Sequence, residues 1–157
     1  MNTQTQTAEL ETVPHVDLQR YLGKWYDIAH FPQAFQSGCS CTTAEYRLND
    51  DGTLQVINTC NKDGKTKISK GVAKVQDKGI NAKLAVTFFW PFAGKYWIID
   101  LARDYSYAVV GHPNRNYLWI LSRTAELDAK TYSEILSRVK NKGYDLSKLE
   151  KTIHMNN

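Results

Sequence analysis

The chain is poor in the residues that staple or metallate small domains: three cysteines, Cys39, Cys41 and Cys60, stand among 157 residues. No pair of histidines lies near them at ligand spacing, which argues against a zinc site. No apolar run approaches the roughly 20 residues that a membrane-spanning helix needs. The N-terminal stretch "MNTQTQTAELETVPHV" lacks the basic start, apolar core and small-residue cleavage site of an export signal. Two readings follow: a cytoplasmic protein, or one whose signal was removed before Met1 was added. There is no clustered basic arm either. The formal charge is +4, with Lys and Arg scattered among acidic residues, so no nucleic-acid partner is expected, while an anionic lipid surface or an acidic ligand suits the sign. Finally, there is no Gly-x-Ser-x-Gly and no glycine-rich phosphate loop. The histidines His15, His30, His112 and His154 are far apart and read as surface or loop residues. Neither catalysis nor a cofactor nor a metal is expected.

What is present is alternation. A chain of this length suits one domain, residues 1–157, with residues 1–16 as a flexible polar leader. Asp17 caps a short helical turn that Gly23 breaks, and the first strand follows at Trp25. Runs 42–49 and 53–61 alternate around "NDDG" as a hairpin. Further strands are expected at 66–75, 82–89, 96–101, 106–110 and 117–123, separated by "NKDG", "QDKG", "WPFAG", "ARD" and "GHPNRN". Eight sequential strands with short connections predict an all-β, up-and-down antiparallel barrel, whose closure removes exposed edges. Only residues 128–142 break the rule. Tyr132, Ile135, Leu136 and Val139 there stand at helical spacing with Gly143 just beyond, predicting one amphipathic helix packed outside the barrel. "KLEKTIHM" reads as a short final strand.

Three ordered segments carry a resemblance: "LGKWYDIAHF", "LARDYSYAVVG" and "LWILSRT". Together with eight strands and one helix, they are similar to the three motifs of the lipocalin family over nearly the whole chain. "KWYDIA", "DDGTLQVIN", "FFWPF" and "YLWILSRT" are similar to the group containing the bacterial outer-membrane lipocalins and apolipoprotein D. Ala102 and Arg103 depart from the residues often found before the family's second turn. The resemblance implies that Trp25 crosses the closed end with the Arg123 guanidinium over its ring, that Gly23 lets the preceding turn approach, and that Asp104 and Tyr105 form the closed-end turn. It also implies a cell-envelope location.

An eight-stranded barrel has room for one small ligand. Parity from Trp25 sets Asp27, Ala29 and Phe31 inward, and later strands add Ala44, Tyr46, Val56, Asn58, Leu84, Val86, Phe88, Trp97, Ile99, Trp119 and Leu121. Such a wall either fills the barrel as core or lines a site for a lipid-like molecule. Trp97, Trp119 and Tyr46 suit a cavity wall because their rings carry a polar atom, and the resemblance implies that the two tryptophans line the pocket. A dry, unpaired Asp27 would be costly, so it needs a partner: water, a tyrosine, Asn58 or a ligand. Strand direction puts Phe35, Lys62, Trp90, Phe92, Lys95 and Arg115 at the open mouth, where aromatics beside cations suit a membrane contact or an anionic headgroup. The reading is therefore a carrier of a fatty acid or lysophospholipid serving membrane maintenance, with peripheral membrane contact and a homodimer left open. A pigment or tetrapyrrole carrier, or an isomerase or hydrolase using Asp27 and a tyrosine, are the alternatives. In an oxidising compartment Cys39 or Cys41 could bridge to Cys60, with a bulge needed to bring Cys41 to the same face.

Overall fold

A computed structural model describes residues 8–33, 36–89 and 92–154. Eight strands run in chain order: β1 (Gly23–His30), β2 (Ser40–Leu48), β3 (Leu54–Lys62), β4 (Lys65–Val75), β5 (Lys83–Phe89), β6 (Phe92–Leu101), β7 (Tyr107–Gly111) and β8 (Leu118–Ser122). Each pairs antiparallel with the next. β8 pairs with β1 and β1 with β2, closing the barrel. The β3–β4 hairpin shows how the local chemistry sets this register: Asp63 and Gly64 both sit at positive φ (54° and 76°), the two-residue turn whose twist matches its strands. Helix α1 (Leu18–Tyr21) is one turn capped by Asp17, and α2 (Ala129–Asn141) starts at Asp128, whose carboxylate accepts the Thr131 N–H at 3.1 Å. A ninth strand, β9 (Glu150–Lys151), adds to β1.

There are two cores. One fills the barrel around Trp25, Tyr46, Val56, Leu84, Val86, Ile98, Val110 and Leu121. The other lies between the barrel's outer surface and α2, where Ile135 and Val139 are fully buried against Val109, Leu118 and Ile120. Arg138 of α2 donates to Asp100 at 2.6 Å and to the Tyr107 hydroxyl at 2.8 Å, fixing the helix on the wall.

Two β-bulges decide which side chains face the lumen. In β1 the register shifts between Asp27 and Ala29, leaving Ile28 as the extra residue. One extra residue inverts the alternation beyond it. Ala29 and Phe31 therefore turn outward into the α2 core, against the parity drawn from Trp25, and His30 turns inward opposite Trp119. His30 is thus buried, not a surface residue. Trp97 and Ile99 also lie on the outer face. Tyr96 pairs with inward Leu84, and Ile98 with inward Val110, so their neighbours point away from the lumen. The reason is that α2 covers this wall, so β6 is apolar on both faces and alternation carries no sign. A second bulge between Ile98 and Asp100 then turns Asp100 out to Arg138.

The leader is tied down from its described start. Val16 is fully buried and Leu10 nearly so, while Val13 N–H donates to Ile98 O at 3.0 Å and Val16 N–H to Ile80 O at 2.8 Å. Expecting flexibility from its polar composition misread these isolated apolar residues, whose spacing is not periodic.

Candidate functional site: the barrel interior

At the closed end, Arg123 Cζ lies 3.7 Å from the Trp25 ring centroid. Its guanidinium donates to Arg20 O at 2.7 Å, Lys24 O at 3.0 Å and Tyr105 O at 3.3 Å. A planar, weakly hydrated cation can stack and fork in this way at once. Gly23 stands at φ 102°, and a side chain there would also press on Arg123. Asp104 accepts the Ser106 N–H at 3.0 Å, and hydrogen bonding from the Ser106 side chain, then its backbone, holds the carboxyl below its ordinary value. The Tyr105 hydroxyl accepts the Asp17 N–H at 2.8 Å, and the Arg20 guanidinium lies 4.1 Å from the Tyr105 ring centroid.

Above Trp25, three phenols meet. The Tyr96 hydroxyl lies 2.6 Å from that of Tyr21 and 2.7 Å from that of Tyr46. Burial pushes all three hydroxyls well above the ordinary phenol range, so they stay protonated. Tyr46 came from strand parity. Tyr21 did not, because it sits on the plug turn, and Tyr96 was lost with the phase of β6.

Along the inner wall, Ala44 beside Trp25, Asn58, Phe88 and Trp119 occupy inward positions yet are only partly buried, whereas Val56, Leu84, Val86 and Leu121 are buried. An inward side chain inside a closed barrel can keep such surface only toward the lumen.

A polar clasp lies along the β1–β8 wall. Gln36, in the loop after β1, accepts the Trp119 indole N–H at 2.9 Å and donates to Asp27 at 3.0 Å. Thr152 donates to the same carboxylate at 3.0 Å, and His30 Nδ1 lies 3.1 Å from it. Asp27 therefore has protein partners on every side, none of them a tyrosine or Asn58. Gln36 and Thr152 carry no sequence signal, since both lie outside the main strands, and Thr152 is 125 residues from Asp27 along the chain. Cys39 and Cys60 form a disulfide at the mouth, leaving Cys41 free.

Of the other mouth residues, Lys62 runs beside Gly38, while Lys95 faces outward, 6.0 Å from the Trp97 ring centroid. Arg115 is committed to the carbonyls of Lys142 and Ala8 and leaves the rim. Phe35, Trp90 and the side chain of Phe92 lie outside the described residues.

Burial lowers the His30 pKa, but the Asp27 hydrogen bond and charge, with Glu150, outweigh it and leave the group raised above 6.5. A raised folded-state value means stability that is complete below about pH 6.5 and lost as pH rises through the folded value. Urea midpoints between pH 5.5 and 8.5 should thus fall for the wild type and flatten for His30→Gln. An equally steep profile in the variant would remove His30 as the cause.

Residues 16–154 match the model of the lipocalin-like domain family. The chain is 41% identical over 157 residues to temperature-induced lipocalin-1 of Arabidopsis thaliana, covering 94% of this chain and 84% of the relative. It is 44% identical over 138 residues to the outer membrane lipoprotein Blc of Escherichia coli K12, covering 87% and 78%. Bovine (Bos taurus) apolipoprotein D is 33% identical over 150 residues, covering 89% and 78%. A plant and a bacterial relative are thus similar to nearly the same degree.

Proposed function

Since the chain belongs to the lipocalin family, we propose that its barrel binds and carries one small hydrophobic ligand, a fatty acid or lysophospholipid, and exchanges it with a membrane. The observation that carries this reading is the inward wall of Ala44, Phe88, Tyr96 and Trp119, apolar and aromatic but still contactable from the lumen. The proposed membrane contact is Lys62 together with Phe35, Trp90 and Phe92, the last three assigned from the sequence alone. An envelope location is supported by the relative named as an outer membrane lipoprotein. The enzyme alternative draws little support from the interior. Asp27 is held by Gln36, Thr152 and His30, and the phenols near it are strongly protonated, so neither is poised to take a proton.

Titration with saturated fatty acids and lysophospholipids tests this. Each buried methylene contributes up to about 0.8 kcal/mol, so two carbons should tighten binding by at most about tenfold after the chain's lost freedom, until a plateau marks a full barrel. Ligand should quench Trp119, and Trp119→Ala should weaken binding while Trp97→Ala leaves it unchanged. Absence of chain-length dependence, or equal effects of both variants, would remove the lipid-pocket reading.

A further inference from the structure

The three phenols at the floor cannot satisfy one another. Tyr21, Tyr96 and Tyr46 bring three hydroxyl protons to two O···O contacts, 2.6 and 2.7 Å long. Whichever way the chain is oriented, two protons are used and one is left. None of the three hydroxyls has another hydrogen-bond partner among the described residues. Tyr96, the central member, faces inward and is only partly buried as a residue, so it stands on the same inner face as the wall residues. An inward-facing spare O–H donor beneath the apolar and aromatic wall is matched to a ligand with an acceptor at its inner end.

The charge of that acceptor follows from what surrounds the phenols. The Asp27 charge is felt at Tyr46 and the Arg123 charge at Tyr21. The Arg123 guanidinium, across Trp25, spends its N–H groups on three backbone carbonyls. No lysine or arginine among the described residues hydrogen-bonds to the phenols. An anion placed there would have a like charge nearby and no cation bonded to it, whereas a carbonyl or hydroxyl oxygen needs only the donor.

We infer that the floor formed by Tyr21, Tyr46 and Tyr96 is a specificity site for a neutral oxygen function, a hydroxyl or carbonyl, carried at the inner end of an elongated apolar ligand. This rests on the carrier reading above and deepens it: the mouth handles the polar head, and the phenols select what the far end of the chain bears.

Matched saturated fatty acids and their ω-hydroxy counterparts, from ten to eighteen carbons, separate the possibilities because both keep the carboxylate and differ only at the far end. A hydroxyl meeting a dry apolar floor should weaken binding at least tenfold. With the phenols as partner, the ω-hydroxy acid should bind about three- to tenfold tighter at the length that fills the barrel. That preference, read as the ratio of the two affinities within each pair, should vanish in Tyr96→Phe and shrink in Tyr46→Phe. Weaker binding of the ω-hydroxy acid at every length would overturn the inference, as would a preference that survives both variants. Equal affinities within each pair that both fall in Tyr96→Phe would place the carboxylate itself on the phenols and also overturn it. If Tyr96→Phe fails to fold, Tyr46→Phe and the wild-type comparison decide. Failure of both series to bind would instead overturn the carrier reading.

Discussion

Trp25→Ala should lower stability by about 3–5 kcal/mol, the usual cost of removing a large aromatic from a packed core. The site gives little room to relax. Trp25 is fully buried, with the Tyr21 ring 5.1 Å away, Arg123 at 3.7 Å from its centroid, and its indole N–H donating to Tyr21 O at 2.9 Å. Truncation therefore leaves a cavity, an unbonded carbonyl and an unstacked cation together. Arg123→Ala should cost less, about 1–3 kcal/mol, because the guanidinium is partly solvated and its bonds go to carbonyls that water can reach. Urea unfolding of both single variants and the double variant reads the coupling directly. A cation stacked on an indole should give an interaction energy of about 0.5–2 kcal/mol. Full additivity would mean that Arg123 acts only through its backbone bonds, and a loss under about 1 kcal/mol for Trp25→Ala would deny it the role of closed-end anchor.

How much of this was legible before any coordinates follows from where the alternation holds. β3, β5 and the part of β2 beyond Thr43 alternate because one face is core and the other is not, so Tyr46, Val56, Leu84 and Val86 are read correctly from their own spacing. The helix is legible for the same reason, with Ile135 and Val139 on its buried stripe. β1 and β6 resist such reading. Their outer faces are covered by α2, and each carries a bulge whose single extra residue leaves no mark in composition. The β1 bulge inverts Ala29 and Phe31, and the covered outer face of β6 hides the phase of Trp97 and Ile99. The clasp of Gln36, Asp27, His30 and Thr152 is assembled from a loop, a bulged strand and the C-terminal tail, so it depends on tertiary geometry that no local period encodes.

That clasp meets the second large expected effect. The Cys39–Cys60 disulfide spans a sequence separation of 21, and closing a loop of that length in the unfolded chain corresponds to about 3 kcal/mol in the chain-entropy model. The register gives a reason to remove both cysteines of the β2 end at once. Ser40 pairs with Asn61 and Thr43 with Thr59, so Cys41 and Thr42 together lie opposite Cys60. Cys41, at φ 54° and partly exposed, is thus placed to take over the bridge if Cys39 alone is replaced. Cys39→Ser with Cys41→Ser should therefore lose about 3 kcal/mol in urea unfolding, while Cys41→Ser alone should lose under 1 kcal/mol, the range of a substitution that removes no packed or bonded group. Gln36 sits three residues before Cys39 and bridges Trp119 of β8 to Asp27 of the neighbouring β1. Freeing Cys39 from β3 should loosen that bridge, so stopped-flow binding of a fatty acid should show association and dissociation both accelerated, with a smaller change in Kd. Alkylation of the native protein should count one reactive thiol. Three reactive thiols under oxidising conditions, or a Cys41→Ser loss equal to that of the double variant, would show that the rim is not held by Cys39. An unchanged dissociation rate at the expected stability loss would separate the disulfide from the clasp and leave Gln36 held by its own hydrogen bonds alone.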